Sequence, residues 1–173
     1  MARVFTLQFP PTAWIPVPGL DGSSNPYGPA FVANTSSDTP AIARPALAFD
    51  NSNDETAISV PFEWPAEYTS TTVTAAVYFH TTANQGTVTW ALQVEKASGV
   101  NLKDGAANFD SANTFTTTAA AATGFTTKVT KEITNLDSVA AGDLVYLKLF
   151  RDAGTGTGDE DAFMTLVTLY EGS

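Results

Sequence analysis

The chain has 173 residues, 18 acidic against 8 basic, a formal net charge of -10 and no cysteine. This length suits one domain with a real core, and so few scattered Lys and Arg exclude nucleic acid as a partner and disfavour anionic membrane surfaces. Without cysteine there is neither a disulfide nor a thiolate metal site, so packing, ladder hydrogen bonds or oligomerisation must supply the stability.

The N-terminal stretch from Met1 to Pro11 lacks the basic-then-apolar layout of a signal peptide, which leads us to expect a protein made and kept in a cytoplasm. Eight of the ten prolines stand before residue 46, at Pro10, Pro11, Pro16, Pro18, Pro26, Pro29, Pro40 and Pro45. Proline lacks an N–H donor and fixes φ, so this segment suits neither a helix nor a central strand. Residues 1–45 are therefore expected to form an extended Pro-rich arm, followed by a domain over residues 46–173. Phe5, Leu7, Phe9, Trp14, Ile15, Tyr27 and Phe31 give the arm an apolar content that a disordered linker lacks. It should dock on its own domain, on a neighbouring subunit or on a larger surface.

From residue 46 onward the pattern predicts about eight strands. Residues 47–49 and 56–62 form two short ones, the second ending at Trp64. In 71–82, Val73, Ala75, Val77 and Phe79 share one face while Thr72, Thr74, Tyr78 and His80 share the other. In 87–97, Val88, Trp90, Leu92 and Val94 point inward. The compact stretch 83–86 between these two predicts a hairpin. Residues 98–124 read as loop or edge strand, and 125–134 alternates again. The last two strands, 144–152 and 161–170, carry apolar residues on both faces. Val145, Leu147 and Leu149 fill a core, which leaves Leu144, Tyr146 and Phe150 for an oligomer interface. Thr is abundant and helical periodicity is absent, so the expected fold is all-β, an antiparallel two-sheet sandwich of jelly-roll type.

Few residues offer chemistry. His80 is the sole histidine, which rules out a His-based metal cluster within one chain, and no nucleophile motif accompanies it. The oxygen-rich loops 50–55 and 152–161 make Asp152, Asp159 and Asp161 the candidates for a Ca²⁺ ion, although neither loop has EF-hand spacing and ordinary solvated loops are the expected reading. No other cofactor is expected. Glu63 and Glu67 could serve as paired carboxylates, but they sit at a strand end rather than in a cleft. Trp14, Trp64 and Tyr68 could stack on sugar rings, or could instead close one end of the sandwich.

The run from Thr71 to His80, then Gly86-Thr87-Val88-Thr89-Trp90, Ala141-Gly142-Asp143-Leu144-Val145, Phe150-Arg151-Asp152 and Asp161-Ala162-Phe163 resembles the jelly-roll virion proteins of tailed bacteriophages, which include head decoration (cement) proteins and fibre domains. The resemblance spans about residues 46–171. It implies a non-enzymatic homotrimer on the virion head, binding the major capsid protein and gripping the shell or a sister subunit with the arm. The alternative is a carbohydrate- or receptor-binding fibre or tail module, and an enzyme comes third.

Overall fold

The computed structural model describes residues 5–17, 28–35, 37, 39–69, 72–82, 86–99, 108–120, 124–153, 157 and 161–171. Among these residues the chain is a β-sandwich of two antiparallel sheets. Sheet I contains β1 (Thr6–Phe9), β3 (Ala30–Thr35), β4 (Ala43–Phe49), β7 (Val73–Thr81), β10 (Thr127–Ile133) and β12 (Ala162–Glu171). Sheet II contains β2 (Trp14–Val17), β5 (Thr56–Ser59), β6 (Phe62–Glu63), β8 (Thr87–Lys96), β9 (Asn113–Thr118) and β11 (Leu144–Arg151).

Strand order is β10-β7-β12-β4-β3 in sheet I and β2-β5-β11-β8-β9 in sheet II. The chain changes sheet at most connections, as a jelly roll does. β7 runs the length of one edge of β12, while β4 and β1 share the other, β4 at Ala162–Met164 and β1 at Val167–Tyr170. In the same way β5 and β6 share one edge of β11.

The inward faces follow the alternation in the sequence. Val73, Ala75, Val77 and Phe79 from β7 meet Val88, Trp90, Leu92 and Val94 from β8, all buried. Val145, Leu147 and Leu149 join them with no exposure. Trp90 anchors this core, meeting Phe49 and Phe79 edge-on at centroid distances of 5.0 and 5.5 Å.

The expected hairpin of residues 71–82 and 87–97 does not form. β7 pairs with β10 and β12, whereas β8 pairs with β9 and β11 in the opposite sheet. Alternation fixes which residues point inward, but two strands facing each other across a sandwich carry the same pattern as two strands side by side.

The Pro-rich segment corrects a second expectation. It is not an arm reaching away from a separate domain. β1 adds to β12 in sheet I, β2 adds to β5 in sheet II, and β3 forms a hairpin with β4. Phe9 and Trp14 are 5% and 1% exposed, and the Trp14 indole donates to the Phe9 carbonyl at 3.3 Å. The prolines explain the positions of these strands. Pro16 lies in β2 at the edge of sheet II, where a missing N–H interrupts no ladder on the outer side. Gly28 brings the chain back against β2 so closely that a Cβ there would stand 2.8 Å from the Val17 nitrogen.

Candidate functional site

The outer face of sheet I carries a cleft of about 460 Å³ lined by Ala33, Asn34, Thr35, Arg44, His80, Gly124, Thr126 and Thr165. Its volume lies within the range of about 300 to 1,000 Å³ usual for small-ligand sites. Five parts of the chain converge on it, and local sequence explains each one.

His80 is the penultimate residue of β7 and faces outward because Phe79, its neighbour, faces the core. Across the ladder it stands opposite Phe163 of β12, and the two rings stack with centroids 5.1 Å apart and planes 14° from parallel. Burial holds the imidazole below its ordinary pKa, so it is neutral at physiological pH and offers one donor and one acceptor.

Thr165 is placed by an irregularity. The register of β12 against β7 shifts between Met164 and Leu166, and the Thr165 hydroxyl donates to the Tyr78 carbonyl at 3.1 Å. Such a bulge bends the strand and re-aims a side chain. It coincides with the point where β12 exchanges β4 for β1 as its partner. Beyond that point the β3–β4 hairpin continues without β12, pairing Asn34 with Arg44, and supplies one side of the cleft. On the opposite side, Gly124 at φ 76° donates its N–H to the Thr81 carbonyl at 3.0 Å, which sets the turn that delivers Thr126.

The cleft therefore combines a guanidinium, an imidazole, a carboxamide and three hydroxyls, with the Phe163 ring stacked on the imidazole beside it. This set can stack against an apolar face of a ligand while exchanging hydrogen bonds with several hydroxyl groups.

The residues singled out from sequence are distributed elsewhere. Of the arm residues, Phe9 and Trp14 are in the core, Phe5 and Leu7 are half-buried against it, Ile15 and Phe31 are exposed on strands β2 and β3, and Tyr27 lies outside the described residues. Trp64 is fully buried and meets Phe5 and Tyr68 edge-on, so it closes one end of the sandwich and offers no face to a sugar. Tyr68 is half-buried beside it, its hydroxyl pKa raised by burial and then by the Glu171 carboxylate. Glu63 and Glu67 are both exposed, Glu63 opposite Leu144 in the ladder.

On β11, Leu144, Tyr146 and Phe150 do face away from the core. Leu144 is 38% exposed and the other two are half-buried. The Lys148 ammonium lies on the same face, 5.4 Å from the centre of the Phe150 ring and 6.0 Å from that of Phe109.

The two acidic loops meet at one end of the sandwich around Arg151, which is 2% exposed and donates to the Phe49 carbonyl at 3.0 Å. Burial lowers its pKa, opposed by Asp161, Asp50 and Glu55. The Asp161 carboxylate also accepts from the Asn51 N–H, and Asp54 accepts from that of Ala153. Among the described residues no group of three or more His, Asp or Glu is arranged to hold a metal ion. Asp159 lies outside the described residues.

No protein-family model and no curated protein sequence matches the chain. Solved structures do match. The chain aligns over 99% of its length with 28% of a Clostridium thermocellum xylanase 10B holding CBM22-1 and GH10 modules, in complex with xylohexaose, at 12% identity and a TM-score of 0.51. It also covers the whole of two single modules. One is the C-terminal CBM6 of a Zobellia galactanivorans laminarinase, at 9% identity, 96% coverage of this chain and a TM-score of 0.47. The other is CBM6cm-2 of Cellvibrio mixtus lichenase 5A in complex with cellotriose, at 12% identity, 99% coverage and a TM-score of 0.46. At 12% identity the likeness to the xylanase structure shows the fold alone, a jelly-roll sandwich.

The expected capsid-decoration role is corrected here: the structure that shares the fold at a TM-score of 0.51 is a xylanase holding a CBM22-1 module and is no virion protein. In addition, the aromatic residues assigned to gripping a shell include Phe9 and Trp14, which this chain spends on its own core.

Proposed function

We propose that this protein is a non-catalytic carbohydrate-binding module and that the cleft on the outer face of sheet I holds the glycan. The observation that carries the reading is the stacked pair of His80 and Phe163 beside a cleft lined by Asn34, Thr35, Arg44, Thr126 and Thr165. A pyranose ring presents C–H groups on its faces and hydroxyls at its rim. The ring pair answers the first, and the amide, guanidinium and hydroxyl groups answer the second. Glycan complexes of modules with this fold, such as the cellotriose complex of the Cellvibrio mixtus module, give the reading its precedent.

In this role the chain binds and orients without breaking bonds. Glu63 and Glu67, the carboxylates considered for acid–base work, both lie outside the cleft lining. The test is a glycan array probed with the full chain. Saturable binding to a defined set of oligosaccharides supports the proposal, and an array without signal contradicts it.

A further inference from the structure

We infer that the sugar taken by this cleft carries an anionic group, a carboxylate or a sulfate, which Arg44 grips. The inference rests on the carbohydrate reading of the same cleft and narrows it to a ligand class. Arg44 is exposed at the cleft and has no ion-pair partner among the described residues. Arg44 is one of eight basic residues in a chain of net charge -10, and the described lining of the cleft brings no carboxylate to it. By contrast, Lys96 pairs with Asp143 at 2.9 Å.

The surroundings favour an anion as well. Lys128 sits on the same outer face, its ammonium 5.5 Å from the centre of the Tyr78 ring, two residues along β7 from His80. Among the described residues of the β7–β10 ladder, the outward carboxylate is Glu132, opposite Thr74. It lies six residues from Thr126, roughly 20 Å at 3.3 Å per residue. The acidic loops at the end of the sandwich do not neutralise the cleft, because Asp50, Glu55 and Asp161 act on the buried Arg151. A guanidinium presents a rigid fork of donors that matches two anionic oxygens, whereas a neutral hydroxyl uses one of them. Asn34 and the threonine hydroxyls then remain for the uncharged rim of the sugar.

The test is calorimetric titration of the full chain with uronate oligosaccharides, with their methyl esters as neutral counterparts of the same shape, and with sulfated oligosaccharides. Free acids or sulfates should bind about tenfold or more tightly than the esters, as expected for a charge-assisted contact, and added salt should narrow the gap. Whichever of the two anions binds more tightly identifies the charged group. Arg44→Gln should abolish the preference while keeping the thermal unfolding midpoint, and Arg44→Lys should restore part of it. Equal binding of acid and ester, or a preference untouched by Arg44→Gln, overturns this inference and leaves the carbohydrate reading standing. Failure of acids, esters, sulfates and neutral glycans alike overturns the carbohydrate reading itself.

Discussion

His80 and Phe163 stand opposite each other on adjacent strands of sheet I, with ring centroids 5.1 Å apart and planes 14° from parallel. Both side chains point away from the core, so the stability of the sandwich does not depend on them in the way it depends on Phe79 or Met164, their buried neighbours in sequence. A protein gains from such a pair when something lies against it. Replacing Phe163 by Ala should weaken glycan binding about 2- to 10-fold, the worth of one aromatic contact of about 0.5 to 1.5 kcal/mol. Titration calorimetry on a variant with an unchanged unfolding midpoint measures the loss.

The lowered pKa of His80 sets a pH dependence whose sign follows from linkage. Burial favours the neutral imidazole in the folded chain, while the unfolded chain takes up its proton near the ordinary value of 6.5. The contribution of neutral His80 is therefore complete above that pH and is lost as the pH falls below it toward the folded value. In urea unfolding across this window the wild type should lose stability relative to His80→Asn as the pH falls, the variant lacking the His80 part of the slope. Parallel curves would contradict the assignment.

The N-terminal strands should be essential to folding. Phe9 and Trp14 occupy the core, and loss of a buried Phe or Trp side chain typically costs about 3 to 5 kcal/mol each. Deleting residues 1–17 removes both, together with the ladders to β12 and β5, which is comparable to a whole domain's stability of about 5 to 15 kcal/mol. The shortened chain should lose near-ultraviolet circular dichroism and cooperative unfolding. A truncated chain that unfolds at the wild-type midpoint would restore the idea of a detachable arm.

Trp64 separates end-closing from sugar stacking. Because its ring is fully buried against Phe5, Phe62 and Tyr68, Trp64→Ala should cost about 3 to 5 kcal/mol, equivalent to roughly 6 to 20 °C in the unfolding midpoint for a chain of this size. The folded fraction should keep its glycan affinity.

Arg151 ties the two acidic loops to the core. Its guanidinium is buried, donates to the Phe49 carbonyl, and feels Asp161, Asp50 and Glu55. Arg151→Ala leaves those carboxylates without their cation and should cost about 3 to 5 kcal/mol, read from urea unfolding. Added Ca²⁺ should not restore the wild-type midpoint if the cluster serves this arginine.

The legibility of this fold in its sequence divides along physical lines. Alternation in 73–81, 87–96 and 144–151 correctly separates inward Val77, Trp90 and Leu147 from outward Tyr78, Gln93 and Tyr146, because side-chain direction in a strand has a period of two. Partnership is not encoded locally, so the apparent hairpin of β7 and β8 turned out to be two strands facing each other across the core. The prolines masked the edge strands β1, β2 and β3, and their exclusion of a central strand fails at Pro45, which lies in β4 between β12 and β3, just outside the residues of β4 that pair with β12.

The cleft was almost invisible for a related reason. Arg44, His80, Thr126 and Thr165 come from different strands and turns, and only sheet order brings them together. One signal was present. Met164 and Val167, both buried, are three residues apart where strict alternation allows two or four, and this break marks the bulge that places Thr165 at the cleft.

The central claim is that a glycan binds on the outer face of sheet I. It is tested most directly by titrating the strongest array ligand into the full chain and into His80→Ala, Phe163→Ala and Arg44→Gln, each first shown to unfold near the wild-type midpoint. The account expects saturable binding by the wild type and weaker binding by all three variants. A ligand that binds the three variants as tightly as the wild type would place the site elsewhere and contradict it.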